Sequence, residues 1–283
     1  MSAPILERHK KVQIEVDNIF VNGLPFFHTK SRSINYRTIE NLKSRTKRNI
    51  INASVKTKDI YDARGLEITN WYGDNEFNME DLKNELLPAS MTTCAATEHI
   101  GGIEREARTY KERARCCTHD LPYKIFPKIM TVYLMESVCK WLNAFPGKTG
   151  VSKTISPSTI VEGKPKPNMN NKHIVFGSYA IAYTGTTNNM RARGVPSIAL
   201  KSSNDSGGHY FMNLYTGRTL HSYKWEELPI DQDVINRVEE IGKGENQPVM
   251  PNGCPIFEYG PGIPVEDDCD HVLDPNGDDD VED

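Results

Sequence analysis

The chain has 283 residues, of which 37% are hydrophobic and 25% charged, so it can bury a core and is not disordered throughout. The formal charge of −4 hides an asymmetry: residues 265–283 hold ten Asp/Glu and no Lys/Arg, leaving 34 bases against 28 acids in residues 1–264. A basic body with a strongly acidic tail favours an anionic partner for the body.

Residues 12–29 read VQIEVDNIFVNGLPFFHT. Two apolar runs flank Asn22-Gly23, a strong two-residue hairpin signal. Asp17 interrupts the first run. A carboxylate in a buried strand is costly unless a cation meets it, so Asp17 is either solvated at a strand end or a site residue. From Thr38 to Arg64 the spacing of Ile39, Leu42, Ile50, Val55 and Ile60 predicts a helix ended by Gly65. Residues 66–72 form a second strand that stops at Gly73-Asp74-Asn75. Asp74 is either the acid of an ordinary Asp-Asn turn or a site residue at a strand terminus.

A short helix (79–86) and a strand (88–94) come next. A long helix then starts near Ile103 with Ile103, Ala107, Tyr110 and Ala114 as its buried stripe. Glu104, Arg108 and Lys111 share a neighbouring face at i, i+4 and i+7, a pattern that by itself describes a salt-bridged surface helix. Pro127 opens an apolar helix to Phe145. The Gly/Pro/Ser/Lys-rich stretch 146–172 reads as a linker. Four or five short strand-like runs over 173–232 predict a small antiparallel barrel, and residues 245–283 read as a disordered acidic tail.

Several classes are excluded. The longest uncharged apolar stretch near residue 130, Ile129–Met135, falls far short of the roughly 20 residues a bilayer span needs, so no membrane partner is expected. Six cysteines include no CxxC pair, which points to reduced thiols and an intracellular location. Asp274-Pro-Asn276-Gly277-Asp278 is not an EF-hand, because its glycine is misplaced and position twelve lies beyond the chain. No P-loop, GxGxxG, GxSxG or HExxH pattern occurs.

The order of elements carries a further reading. A hairpin with Asp17, a helix, a strand ending at Asp74 and a helix beginning at Glu104 resembles the ribonuclease-H-like integrase core. Ile103-Glu104-Arg105-Glu106-Ala107-Arg108-Thr109 looks like the family's Glu-Arg-x-x-Arg-Thr segment. Ser156-Pro157, Gly163-Lys164-Pro165 and His173-Ile-Val-Phe176-Gly177 resemble the region C-terminal to the core in Copia-type retrotransposon polyproteins, where a Src-homology-3-like barrel comes next. The sequence departs from the family in a shorter Asp74-to-Glu104 gap, in Ile100-Gly101 where Asn-Gly is usual, and in lacking the paired His and Cys of an N-terminal zinc module.

The resemblance implies an α/β fold with a mixed sheet and helices: catalytic core 12–145, linker 146–172, barrel 173–232 and acidic tail 245–283. It implies strand transfer and end processing of double-stranded DNA by two-metal chemistry, with Asp17, Asp74 and Glu104 as catalytic and metal-binding acids for Mg2+ (or Mn2+). Arg108 and Lys111, and more weakly Arg105, are then the phosphate-binding residues. A homo-oligomer, and a nuclear location for an active enzyme, complete the expectation. The alternative is an inactive retroelement fragment that acts only as a nucleic-acid-binding or assembly module.

Overall fold

The computed structural model describes residues 7–93, 101–163, 174–185, 193–203, 207–260 and 263–264. Strands β1 (Lys11–Val21) and β2 (Leu24–Ser31) form the expected hairpin. Asn22 and Gly23 both take positive φ, 50° and 75°, the geometry that two-residue turns between right-twisted strands require.

The predicted helix over 38–64 is corrected. Its first part is strand β3 (Arg37–Asn41), paired with β2 through His28↔Ile39 and Thr29↔Thr38. Helix α1 spans only Lys47–Asp62, capped by the Thr46 hydroxyl, which accepts from the Asn49 amide. Ile39 and Leu42, three residues apart, imitate a helical repeat, but Ile39 belongs to a strand with a period of two.

Strand β4 (Glu67–Gly73), helix α2 (Glu80–Glu85) and strand β5 (Ser90–Thr93) come after α1. β1 is antiparallel to β2 and parallel to β4, and β4 is parallel to β5, giving a mixed sheet ordered β3-β2-β1-β4-β5. Helices α3 (Gly101–Thr118) and α4 (Lys128–Ala144) come next, then the short α5 (Pro157–Val161). The result is a mixed α/β arrangement.

Alternation along β1 sorts the two faces. Val12, Ile14 and Val16 pack with Phe27 and with Ile50, Ala53 and Tyr61 on the α1 side. Ile19 and Val21 face the α3/α4 side, with Tyr110, Ala114, Met130 and Leu134. The described part of the 146–172 stretch packs on the first of these cores: Ile160 and Val161 are buried in it, and Tyr36 donates its hydroxyl hydrogen to Glu162.

Strands β6 (Tyr179–Tyr183), β7 (Gly194–Ser202), β8 (His209–Asn213), β9 (Thr219–Ser222) and β10 (Trp225–Glu227) form a second, antiparallel sheet ordered β10-β6-β7-β8-β9. In a flat sheet β10 and β8 would stand about 14 Å apart. The Trp225 ring nevertheless lies 5.6 Å from that of His209 and 5.7 Å from that of Phe211, so the sheet curls around a small core of Ile174, Ala180, Ala182, Ala199 and Phe211. Its other face shares a cluster with α4 and with helix α6 (Gln232–Gly244) through Ile198, Leu200, Met212, Val234 and Val238.

The expectation of disorder from residue 245 is overturned for its first part. Met250 and Phe257 are buried in the main core, and strand β11 (Phe257–Gly260) returns to the first sheet, pairing Val21↔Phe257 and Phe20↔Glu258. Strand β12 (Ile263–Pro264) pairs back onto β11. Two apolar anchors in a Pro/Gly-rich stretch give no periodicity to read. Residues 265–283, the acidic tail itself, lie outside the described residues. Among the described residues no helix is long and apolar enough to cross a membrane.

Candidate active site

The parallel ladder between β1 and β4 brings the first two predicted acids to one place. Its last pairs are Ile14↔Trp71 and Glu15↔Tyr72. Two residues further along each chain, Asp17 and Asp74 are level. Asp17 is half-buried in the middle of β1, where its Oδ1 accepts from the Asn18 amide at 2.7 Å. Asp74 is also half-buried and still extended (φ −70°, ψ 170°); it precedes a 3-10 turn, Asn75–Phe77, without capping it through its side chain. Gly73 makes this close approach possible, because a Cβ there would stand 2.8 Å from both Val16 and Phe77.

The period of two puts Asp17 on the same face as Glu15 and Ile19, the face that α3 covers. The start of α3 sits on that face. A Cβ on Gly102 would stand 2.7 Å from Oε1 of Glu15. Glu15 is itself buried, accepts from Arg32 Nε at 2.8 Å, and has Arg32 lying 3.7 Å over the ring of its ladder partner Tyr72. Glu104 comes two residues after Gly102, in the first turn of α3. Its side chain lies outside the described residues. Among those described, no three His, Cys, Asp or Glu side chains group closely enough to hold a metal ion. The donor chemistry of Asp17 and Asp74, carboxylate oxygens in β1 and just past the end of β4, is that of hard-cation ligands.

Arg105 and Arg108 are exposed on α3, and Lys111 is half-buried. Helical geometry places Arg108 and Lys111 one and two turns beyond Glu104. Arg105 lies on the far side from the buried stripe.

The structure adds a buried ionic cluster that sequence reasoning missed. Glu106 is 2% exposed, 2.6 Å from Lys30 Nζ and in a two-pronged hydrogen-bonded pair with Arg37. Burial pushes its carboxyl pKa up, but the hydrogen bonds and charges of Arg37 and Lys30 outweigh that and hold it below the usual range. Lys30 and Arg37 belong to the basic stretch 30–48, yet both are committed to Glu106. A signal existed, since Ile103, Glu106 and Tyr110 fall at i, i+3 and i+7 on the buried stripe. His28, the cross-strand partner of Asp17, is fully buried against Tyr110 at 4.7 Å. Burial lowers its pKa to about 3 and keeps the imidazole neutral.

The four described cysteines, Cys116, Cys117, Cys139 and Cys254, are free thiols. No family model matches the sequence, and no curated protein matches it. Among solved structures, the chain is similar to the catalytic core domain of BIV integrase, at 16% identity and a TM-score of 0.40, over 53% of this chain and 93% of that one. A likeness of that degree does not bear on the roles of individual residues.

Proposed function

We propose that the chain is the DNA-processing part of a Copia-type retroelement integrase, carrying out end processing and strand transfer on double-stranded DNA. The observation that supports this reading best is the β1–β4 register: it levels Asp17 with Asp74 on the face where α3 lands, two residues before Glu104. In this reading Asp17, Asp74 and Glu104 hold Mg2+ (or Mn2+). When bound, such ions polarise the phosphodiester and activate the attacking oxygen.

The chain's own residues do the rest. Buried Glu15, against Gly102, and the Glu106–Lys30–Arg37 cluster fix α3 on the sheet, so the acids are held rather than searching. Arg108 and Lys111, with Arg105 at the margin, contact phosphates and carry no sequence information. The curled second sheet takes the place of the Src-homology-3-like barrel. Assembly as a homo-oligomer and a nuclear location belong to the same proposal.

The test is a calorimetric Mn2+ titration of the full chain with a parallel plasmid-nicking assay. Wild type is expected to bind the metal and nick; Asp74→Asn and Glu104→Gln are expected to lose both. An equal metal response in wild type and Asp74→Asn overturns the enzyme reading. Duplex binding that survives without any metal response selects the non-catalytic module instead. For binding, Arg108→Ala with Lys111→Ala should weaken affinity for all sequences alike. It should also flatten the log–log salt slope by nearly two, at roughly 0.9 per phosphate contact.

A further inference from the structure

The strand registers sort the α3-facing side chains of the first sheet into rows. One row runs Glu15–Lys30–Arg37 across β1, β2 and β3, each residue the Cα partner of the next. The row two residues along runs Asp17–His28–Ile39. Strand rise sets the two rows about 7 Å apart. Lys30 is therefore the diagonal neighbour of Asp17, at about 7–8 Å between backbones.

The first row and its partners carry a surplus charge. Arg32 pairs with Glu15 at 2.8 Å, while Lys30 and Arg37 share the single carboxylate of Glu106, which reaches down from α3. Three bases (Lys30, Arg32 and Arg37) thus meet two acids (Glu15 and Glu106), leaving one positive charge over. Lys30, Arg37 and Glu106 are all largely withdrawn from water, and Arg37 also donates to the Asn35 carbonyl at 2.8 Å, so the charges are held in place. In the second row the residue after Asp17 is His28, fully buried and neutral, and the one after that is the apolar Ile39. On the other flank of Asp17 the β1–β4 register, extended by two residues, brings up a second acid, Asp74.

We propose that the surplus charge, placed at Lys30, is a built-in counter-ion for the Asp17–Asp74 pair: it eases the repulsion between the two carboxylates before a divalent ion arrives, and it repels that ion and so sets how loosely it is held. Both effects have one origin, because a cation that stabilises the empty pair weakens the binding of a second cation by the same coupling. Lys30 is a positioning residue in this scheme: it contacts Glu106 and acts on the site through its charge. The inference rests on the Asp17–Asp74 reading of the site.

A calorimetric Mn2+ titration of the full chain at low salt tests it. Lys30→Met leaves Glu106 matched with Arg37 alone and should tighten Mn2+ binding about fivefold, the scale of repulsion between a divalent and a monovalent cation about 7–8 Å apart in a water-like dielectric. Lys30→Arg keeps the charge and should bind as wild type does. Glu106→Gln enlarges the surplus and should weaken binding by a similar factor; if it fails to fold, the two Lys30 variants decide. The differences should shrink near 1 M salt, where the screening length is about 3 Å. In chelator, Asp74→Asn should raise the melting temperature more in a Lys30→Met background than in wild type. A merely structural Lys30 gives the opposite sign, since losing its contact with Glu106 would loosen α3 and weaken the site. Unchanged or weaker Mn2+ binding by folded Lys30→Met, or equal tightening by Lys30→Arg, overturns the counter-ion and leaves the site standing. A wild-type chain that binds no Mn2+, or binds it equally well after Asp74→Asn, overturns the site reading and the counter-ion together.

Discussion

Gly102 lies against the carboxylate of Glu15: a Cβ at residue 102 would stand 2.7 Å from Oε1, inside any real contact distance. Glu15 cannot simply swing away, because it is buried and tied to Arg32 at 2.8 Å. Gly102→Ala should therefore displace the start of α3 or break the Glu15–Arg32 pair, at a cost of about 1–3 kcal/mol. In a Glu15→Ala background the same change should cost little, so a double-mutant cycle by urea unfolding should show strong coupling. Additive effects of the two substitutions would contradict the contact.

The hold of α3 on the sheet further along is ionic. Glu106 neutralises Lys30 and Arg37, all three largely withdrawn from water. Removing one partner of a buried cluster strands the remaining charges, which typically costs about 3–5 kcal/mol. Glu106→Gln should lose stability on that scale in denaturant unfolding at neutral pH. The folded carboxyl pKa is depressed, so this contribution is present above the ordinary carboxylate range and fades on acidification; wild type and variant should converge below it. A constant difference across pH would mean that Glu106 acts by shape alone.

These two contacts show how far the amino-acid pattern reaches. The hairpin at Asn22-Gly23 is legible because that dipeptide demands positive φ. The strand ending at Asp74 is legible because Gly73-Asp74-Asn75 is strong punctuation. Their registration against each other is not, since a parallel pairing leaves no local mark. Strand β3 reads as helix because five residues with one apolar repeat fit either period. Strand β11 escapes notice because its anchors, Met250 and Phe257, act on a core most of whose members are distant in sequence. Seven bases in 30–48 look like one surface, but Lys30 and Arg37 face inward towards Glu106, and only spatial neighbours reveal that.

The β1–β4 register, extended by two residues, brings Asp17 level with Asp74, so two carboxylates of like charge share one end of the ladder. Relieving that repulsion should stabilise the protein when no divalent ion is present. Asp74→Asn in chelator is expected to raise the melting temperature by about 2–4 °C, the scale of 1 kcal/mol in a chain of this size. Adding Mn2+ should then raise the wild-type value and leave the variant unmoved. Calorimetric scans showing a lower melting point for the variant in chelator would break the argument.

The second sheet offers a pH test independent of the candidate site. His209 is 3% exposed, packed between Phe211 at 5.3 Å and Trp225 at 5.6 Å, with neither ring nitrogen hydrogen-bonded among the described residues. Burial lowers its pKa to about 4, helped by the nearby charge of Lys140 and by His221. Lys140 is itself held by Ser202, whose backbone oxygen and hydroxyl each accept at 2.9 Å, so its charge stays in place. The unfolded chain protonates this histidine near 6.5 and the folded chain only near 4. Stability is thus intact above pH 6.5, falls as pH drops through that window, and levels off below 4. The full loss is about 3 kcal/mol at ~1.4 kcal/mol per pH unit. His209→Phe keeps the ring contacts and removes the proton, so urea midpoints at pH 7, 5 and 4 should decline less steeply than in wild type. Parallel declines would show that some other group carries the acid limb.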